Sequence, residues 1–302
     1  MIFQKNPKPT LFTLILCCVI SGCAYFSGQE QLISATMDLP PGQNSGICTT
    51  SVFDVEKTPE LLPGLSPDSI SILDWNIHKG KRKGWDIDFM RLSDGKDIIL
   101  LQEAALNKKL LEMLQQQNLY WNLNSAIRLK GIETGVLLAS TVQAIASCGQ
   151  RTSEPIIRVP KTILISKYEI ENSKKTLLVV NIHAINITLG TKIYREQFDA
   201  LQIILQKHDG PIILAGDFNS WCKRRNEIMT DLTEKLALHM LTIEDEHRTI
   251  FFGDPVDHIL YRGLKPLSYE VHPVTTSDHN PISVTFRLAG TAVETINSEY
   301  IP

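Results

Sequence analysis

An acid beside an imidazole, Asp278-His279, stands in the turn Thr275-Thr276-Ser277-Asp278-His279-Asn280-Pro281, just ahead of the apolar run 282–286. A carboxylate and a histidine held at a strand entrance can bind a metal ion and move a proton, and either task needs partners from elsewhere in the chain. Polar residues of matching chemistry recur wherever an apolar run ends. Asn76 follows the run 70–75, Glu103 follows 97–102, His183 and Asn186 follow 177–182, Asp217 and Asn219 follow 212–216, and Asp257 opens a further run. Each of these alone reads as a turn, a cap or a structural histidine. Together they supply oxygen ligands, two Asp/His units and several neutral hydrogen-bond donors. Hard oxygen ligands without a Cys/His cluster suit Mg²⁺ or Mn²⁺ rather than structural zinc. Such an ion is held by few carboxylates, its shell completed by water and a substrate phosphate.

The elements that must position these residues are short apolar runs alternating with a few helical stretches. Strands are expected at 70–75, 97–101, 135–139, 162–166, 176–183, 211–215, 256–261 and 282–286. Helical spacing runs through 104–117, 191–207 and 223–236, for example at Leu106, Leu110, Leu111 and Leu114. Several successive strands have no helix between them, so a simple parallel βαβ sheet fits less well than two packed sheets with helices outside. One folded domain is expected over 70–288, followed by a tail, 289–302. Residues 24–69 are rich in Gly, Pro, Ser and Thr and read as a tether partly ordered against the domain.

The first 23 residues read as targeting rather than fold. Lys5 and Lys8 precede an apolar run, 11–20, too short to span a bilayer comfortably, which ends Ile20-Ser21-Gly22-Cys23. The placement of Cys23 resembles a bacterial lipoprotein signal, with Cys23 as the acylated first residue of the mature chain; a simply cleaved signal or an uncleaved anchor is the alternative. Several acyl chains hold firmly where one holds marginally. With Ala24 next, the expected location is the outer membrane, facing the periplasm or the cell surface. In an oxidising compartment Cys48, Cys148 and Cys222 allow at most one internal bridge. Cys48–Cys148 is the pairing expected, because Cys222 borders a candidate active loop; buried free thiols are the alternative. The 302-residue chain carries a formal charge of −3 and a pI near 6.2, which excludes a strongly basic nucleic-acid binder.

Five motifs carry a resemblance to a known family. Trp75-Asn76-Ile77-His78, Leu101-Gln102-Glu103, Gly216-Asp217-Phe218-Asn219, Val256-Asp257-His258 and Ser277-Asp278-His279-Asn280-Pro281 resemble, in order and spacing, those of the endonuclease/exonuclease/phosphatase (DNase I-like) superfamily. The stretches around Asn76, Val180–Asn186 and Gly216–Trp221 are closer still to its YafD-like bacterial branch, which fixes no substrate. The resemblance covers about residues 70–288. It implies a four-layer α/β-sandwich of two packed, mainly antiparallel sheets flanked by helices. It implies that Glu103, Asn76 and Asp278 hold a Mg²⁺ (or Mn²⁺) ion. Asp257 would orient His279, the general base or transition-state contact; Asp217 would align or deprotonate the attacking water. Asn219 and Asn186 would donate to the scissile phosphate, and His183 would act as a second acid or phosphate contact. The abasic endonucleases carry Tyr where this chain has His183, which argues against DNA repair. The family often has Arg where this chain has Thr141, so a substrate-edge contact could be missing.

Basic residues follow two of the motifs. Lys79, Lys81, Arg82 and Lys83 follow Asn76, while Lys223, Arg224 and Arg225 follow Asn219. Lys79, Arg224 and Arg225 are candidate substrate-phosphate contacts. Cations at a helix N-terminus oppose the macrodipole, so their reason lies outside helix stability. The expected activity is a divalent-metal-dependent phosphodiesterase, first a DNase I-like nuclease, with a phospholipid or sphingomyelin phosphodiesterase as the alternative. A non-catalytic surface-binding module is the rival from another class. The expected partners are nucleic acid or a phosphodiester lipid, and the bacterial membrane; no protein partner is indicated.

Overall fold

A computed structural model describes residues 24–25, 32–34, 44–45, 48–49, 62–245 and 247–290. The expected leader with its acceptor Cys23, most of the tether and the tail beyond residue 290 lie outside the described residues. In chain order the elements are β1 (Ala24–Tyr25), β2 (Leu32–Ser34), β3 (Asn44–Ser45), β4 (Ile70–Asn76), α1 (Trp85–Ser93), β5 (Ile98–Ala105), α2 (Lys108–Gln116), β6 (Tyr120–Leu129), β7 (Ile132–Ser140), β8 (Ala146–Ser153) and β9 (Pro160–Glu169). They continue with β10 (Thr176–His183), α3 (Lys192–Leu205), β11 (Ile212–Asp217), α4 (Lys223–Lys235), β12 (His239–Met240), β13 (Ile250–Phe251), β14 (Asp254–Pro255), β15 (Asp257–Arg262), β16 (Leu264–Val271) and β17 (Ile282–Leu288).

Two large sheets form. One runs β1-β6-β7-β5-β4-β17-β16, with β2 also on β6; the other runs β12-β15-β11-β10-β9-β8-β3. Most pairings are antiparallel, but β4–β5, β10–β11 and the short edge pair β3–β8 are parallel, which makes both sheets mixed. A parallel pair needs a crossover, supplied by α1 in the first sheet and α3 in the second.

The strands at the sheet centres read as continuous apolar runs because both of their faces are buried. Ile70, Ile72, Ile98, Leu100, Val179, Ile213 and Ile259 meet between the sheets. Leu73, Trp75, Ile99 and Leu101 face outward under α1 and α2, with Phe89, Leu110 and Leu114. Val180, Ile182, Ile212 and Leu214 pack under α3 and α4, with Phe198, Leu201 and Leu232. The result is the expected four-layer sandwich, helices–sheet–sheet–helices.

The chain joins this fold before Ile70. Leu65, 2% exposed, bridges to Ile170, and Cys48 is disulfide-bonded to Cys148 on β8, Cα to Cα 4.9 Å. Cys222 is a free, half-buried thiol. Three long strands, β6, β8 and β16, and helix α1 were not among the expected elements. Thr141 lies at the end of β7 where Ser140 pairs with Ile98, and its N–H donates to Asp97 O. That is the end of the sheet opposite Glu103, so the residue at 141 does not bear on the site.

Candidate active site

The period-two alternation that builds the inter-sheet core continues to the strand ends, and there it turns polar. On β4 the inward positions run Ile70, Ile72, Asp74, Asn76; on β10 they run Leu177, Val179, Asn181, His183; on β11 they run Ile213, Ala215, Asp217. Gln102 Nε2 bridges Asp74 Oδ1 and Asn181 Oδ1, each at 2.8 Å, and Asn181 Nδ2 donates to Leu101 O and Leu137 O. This buried network ties the sheets together as the floor of the site. Burial and the nearby Asp257 carboxylate raise Asp74 well above the usual carboxylate range.

Glu103 has the outward parity of Ile99 and Leu101, so regular pleating would turn it away. A bulge between Leu101 and Ala104 interrupts the β5–β7 register, and Glu103 itself has φ +50°. The bulge re-aims the carboxylate into the site. Burial raises its pKa, but His183, Lys79 and Lys161 outweigh that and bring it down to about 2. Lys79 ion-pairs with it.

Two further backbone positions are special. Gly216 has φ +138°, and a Cβ there would lie 2.0 Å from Ile182 O, so only glycine allows the close β10–β11 approach that sets His183 beside Asp217. Asn219, at φ +49°, donates its backbone N–H to Asp217 Oδ1 at 2.9 Å and its side-chain amide to Ala184 O at 2.9 Å.

His279 and Asp257 form the expected pair, with Nδ1 2.8 and 3.0 Å from the two carboxylate oxygens. Burial lowers the histidine, yet Asp257, by charge and hydrogen bond, and then Asp217 raise it to about 10. At neutral pH it is an imidazolium whose Nε2 points toward Asp217 Oδ2, 3.9 Å away. Asn76 Nδ2 donates to the same oxygen at 3.1 Å, while Asn76 Oδ1 accepts from His78 N. Asp278 pairs with His78 Nδ1 at 2.7 Å; burial opposes ionisation, but the His78 hydrogen bond lowers the carboxyl below its usual range.

His183, expected as a second acid or phosphate contact, lies in surroundings that disfavour its charged form. Burial first, then Lys161, push it well below the ordinary imidazole value. Lys161 Nζ sits 2.6 Å from His183 Nε2, and Asp217 Oδ2 lies 3.3 Å from that nitrogen. The cation in this corner is Lys161, a residue that sequence reasoning missed. It becomes visible only through the β9–β10 register, which pairs Ile163 with Ile182.

The basic loops are corrected in part. Arg225 is 1% exposed and donates to the carbonyls of Ile185, Asn186 and Asn219, at 2.6–2.9 Å, between the Tyr194 and Trp221 rings. It cannot reach a substrate phosphate; it clamps the loops that carry Asn186 and Asn219. Lys79 is engaged by Glu103, and Arg82 donates to Thr275 O and Ser277 O. Arg224 is exposed at the start of α4. Asn186 accepts from Trp221 Nε1 at 2.9 Å through Oδ1, which leaves its NH₂ end to donate, and its backbone N–H is held by buried Glu154.

Two carboxylate groupings could hold a cation. Asp217, Asp257 and His279 offer atoms within 4.8 Å of one another. There, however, Asp257 and His279 already occupy each other. Glu103 is the better anchor: it is held ionised, aimed inward by the bulge, and one of its oxygens already attracts a cationic group. The other expected ligands are tied to the same 76–79 loop, Asn76 Oδ1 through His78 N and Asp278 through His78 Nδ1, and their hard oxygens are of the type that suits a divalent ion.

Comparison with known proteins agrees with this geometry. The pattern of the Endonuclease/Exonuclease/phosphatase family matches residues 75–279. A UPF0294 protein of Vibrio campbellii is 38% identical over 233 residues, 77% of this chain and 82% of its own length. One from Klebsiella pneumoniae is 32% identical over 262 residues, 87% of this chain and 94% of its own. The crystal structure of an endonuclease/exonuclease/phosphatase from Beutenbergia cavernae matches with TM-score 0.58 at 17% identity, covering 75% of this chain and 73% of that one. The human Nocturnin catalytic domain matches with TM-score 0.57 at 18% identity, covering 75% and 97%. At these identities the two structures speak for the fold alone. On sequence match, relatives and fold together, this chain belongs to the endonuclease/exonuclease/phosphatase family, whose members generally hydrolyse phosphoester bonds.

Proposed function

We propose that the chain is a divalent-metal-dependent phosphodiesterase, exported and held at a membrane by acylated Cys23. The observation that carries the catalytic reading is the Asp257–His279 pair, whose imidazolium Nε2 faces Asp217 across 3.9 Å beside the ionised Glu103. The family's chemistry leaves two candidates for the base. A histidine held at about 10 is a poor base at neutral pH, so Asp217 takes the proton of the attacking water and His279 meets the charge that develops on phosphorus-bound oxygen. Asn219 and Asn186 each have an amide hydrogen left to donate to the same phosphoryl group, and Lys161 adds a positive charge at its edge. A Mg²⁺ or Mn²⁺ ion on Glu103, Asn76 and Asp278 supplies Lewis acidity toward the phosphate when bound. The water oxygen bonds to phosphorus, the ester P–O bond breaks, and the departing oxygen leaves with a proton as the alcohol. A phosphate monoester remains.

A non-catalytic binding module on this fold has no need of a buried charged pair beside an ionised carboxylate. The nuclease reading rests on the paired His183/His279 arrangement, both against Asp217, plus two basic loops, of which Arg225 is buried and Lys79 and Arg82 are engaged. Lys81, Lys83, Lys223 and Arg224 remain exposed for a polyanion.

Bis(p-nitrophenyl) phosphate with Mg²⁺ or Mn²⁺, against EDTA, tests the chemistry. Metal-dependent release of nitrophenol is expected, and His279→Ala should lower it by about 10²–10⁴-fold with the fold intact. An inert wild-type protein would remove the phosphodiesterase reading. Unchanged membrane fractionation of Cys23→Ser would remove the lipid anchor.

A further inference from the structure

Among the described residues, several exposed apolar side chains lie at the catalytic end of the sandwich, while others, such as Ile87, Leu111, Ile203 and Leu267, are scattered elsewhere. Ile132 lies at the β6–β7 turn, beyond the Ala105–Thr134 pairing that follows Glu103. Ile156 lies in the β8–β9 loop, two residues after the Glu154 that holds Asn186. Leu189, 89% exposed, lies in the loop that follows His183. The hairpin β13–β14, just before Asp257, adds Ile250, Phe251 and Phe252, the last 77% exposed.

The hairpin tip shows that this is more than scattered surface. Phe252 and Gly253 both have positive φ, +50° and +95°, the geometry of a two-residue type I′ turn. Asn or Asp is the favoured residue at its first position, and a bulky residue at positive φ is strained. Neither turn geometry nor core packing therefore explains a solvent-facing phenylalanine there. Phe252 instead stands edge-on against Trp221, 5.6 Å between ring centres, and Phe251 packs on it at 4.6 Å. Trp221 in turn fixes Asn186 in the site.

Two observations identify what covers this rim. Ala24 pairs with Leu129, and Tyr25 with Arg128, at the tip of β6. The chain therefore enters the described fold at the catalytic end, and residue 23, the expected acyl acceptor, directly precedes that point. In addition, exposed Lys130 and Arg158 sit among the apolar residues, the mixture of cationic and apolar side chains that suits an anionic lipid surface.

We infer that the catalytic end docks face-down on a lipid bilayer, inserting the Phe251–Phe252 tip, and that the substrate class is the phosphodiester of a membrane lipid. The substrate part rests on the phosphodiesterase reading above; the docking part does not. A tether that begins at the site end holds that end against the membrane, so the catalytic groups face headgroups rather than bulk water.

The test uses the full chain in vesicles of phosphatidylethanolamine and phosphatidylglycerol, with and without dibrominated phosphatidylcholine. Phe252→Trp should lose about half of its added emission to the brominated lipid, while Tyr120→Trp, a half-exposed position at the opposite end, should lose little. Equal quenching at the two positions, or none at position 252, would overturn the docking. The double variant Ile156→Ser/Leu189→Ser should slow hydrolysis of the vesicle phospholipids by about tenfold or more and leave bis(p-nitrophenyl) phosphate turnover unchanged. Equal rates of variant and wild type on vesicles, or cleavage of plasmid DNA without cleavage of lipid, would overturn the substrate class. Quenching at position 252 in a protein that hydrolyses nothing would support the docking while removing the phosphodiesterase reading, so the two failures are distinguishable.

Discussion

Asp257→Asn isolates the charge behind His279 from its shape. The substitution keeps a hydrogen-bonding group near Nδ1 and removes the negative charge 2.8 Å away. In the native protein burial lowers His279, but Asp257 overrides it and raises the value to about 10 against an ordinary 6.5. A group raised on folding contributes its stability in full below its unfolded value, and the contribution fades as pH climbs through the folded one. Here the window runs from about pH 6.5 to about pH 10. At about 1.4 kcal/mol per pKa unit the ceiling is on the order of 5 kcal/mol.

The variant will not lose all of that. Without the carboxylate, burial prevails and His279 sheds its proton near neutral pH, which avoids leaving a bare buried cation. Removing one partner of a buried pair costs roughly 3–5 kcal/mol when the other stays charged, so a neutralising histidine brings the loss to about 2–3 kcal/mol at pH 7. The loss should shrink toward zero above pH 10, where the native protein has itself given up the imidazolium. Urea unfolding at the two pH values measures this, and the imidazole proton resonance followed against pH gives the His279 titration directly. Turnover should fall by about 10²–10⁴-fold at pH 7, since both orientation and positive charge are lost. A stability loss that is the same at pH 7 and pH 10, or a His279 titration that stays near its native value, would refute the account of Asp257 as the source of the charge.

The other predictions concern the scaffold around that pair. Arg225→Ala leaves three buried carbonyls without their donor and should cost about 2–4 kcal/mol in urea unfolding. Because the clamp needs a planar fork of donors, Arg225→Lys should recover little of that. The Cys48–Cys148 bridge closes a separation of 100 residues, so Cys148→Ser should lower stability by about 2–4 kcal/mol under oxidising conditions. Lys79→Met removes the group that competes for Glu103, so calorimetric Mn²⁺ affinity should rise, by about threefold or more; weaker binding would mean that Lys79 helps to hold the site rather than to compete for it.

Much of the site was legible because the chain repeats one device. Each sheet carries a single central parallel pair, β4–β5 and β10–β11, joined through a helix, and the two pairs run toward the same end. Their inward positions stay apolar until the last turn of the pleat and then become Asn76, His183 and Asp217. A reader of the sequence sees apolar runs ending in the same polar inventory, which is the one-dimensional trace of that arrangement. What was not legible depends on partners distant in sequence. Lys161 opens a strand without any motif and meets His183 only through antiparallel register. Arg225 looks like a surface cation at a helix start, the position least suited to it, until the loops of Asn186 and Asn219 close around it. Strand β6 has polar Asn122 and Asn124 where a core strand should be apolar, because Asn124 donates to Gln150 O and Ile163 O across the sheets.

The same dependence explains why substrate class is harder to read than chemistry. Reaction groups are set by strand ends, whose parity and spacing are local. The apolar rim proposed to face the substrate is set by four loops from both sheets, with one to three apolar residues each that are unremarkable alone. No stretch of the sequence is long and apolar enough to announce a membrane surface in that region. Leu189, Ile156 and Phe252 acquire a common meaning only because every strand bearing a catalytic group delivers its loop to one end of the sandwich.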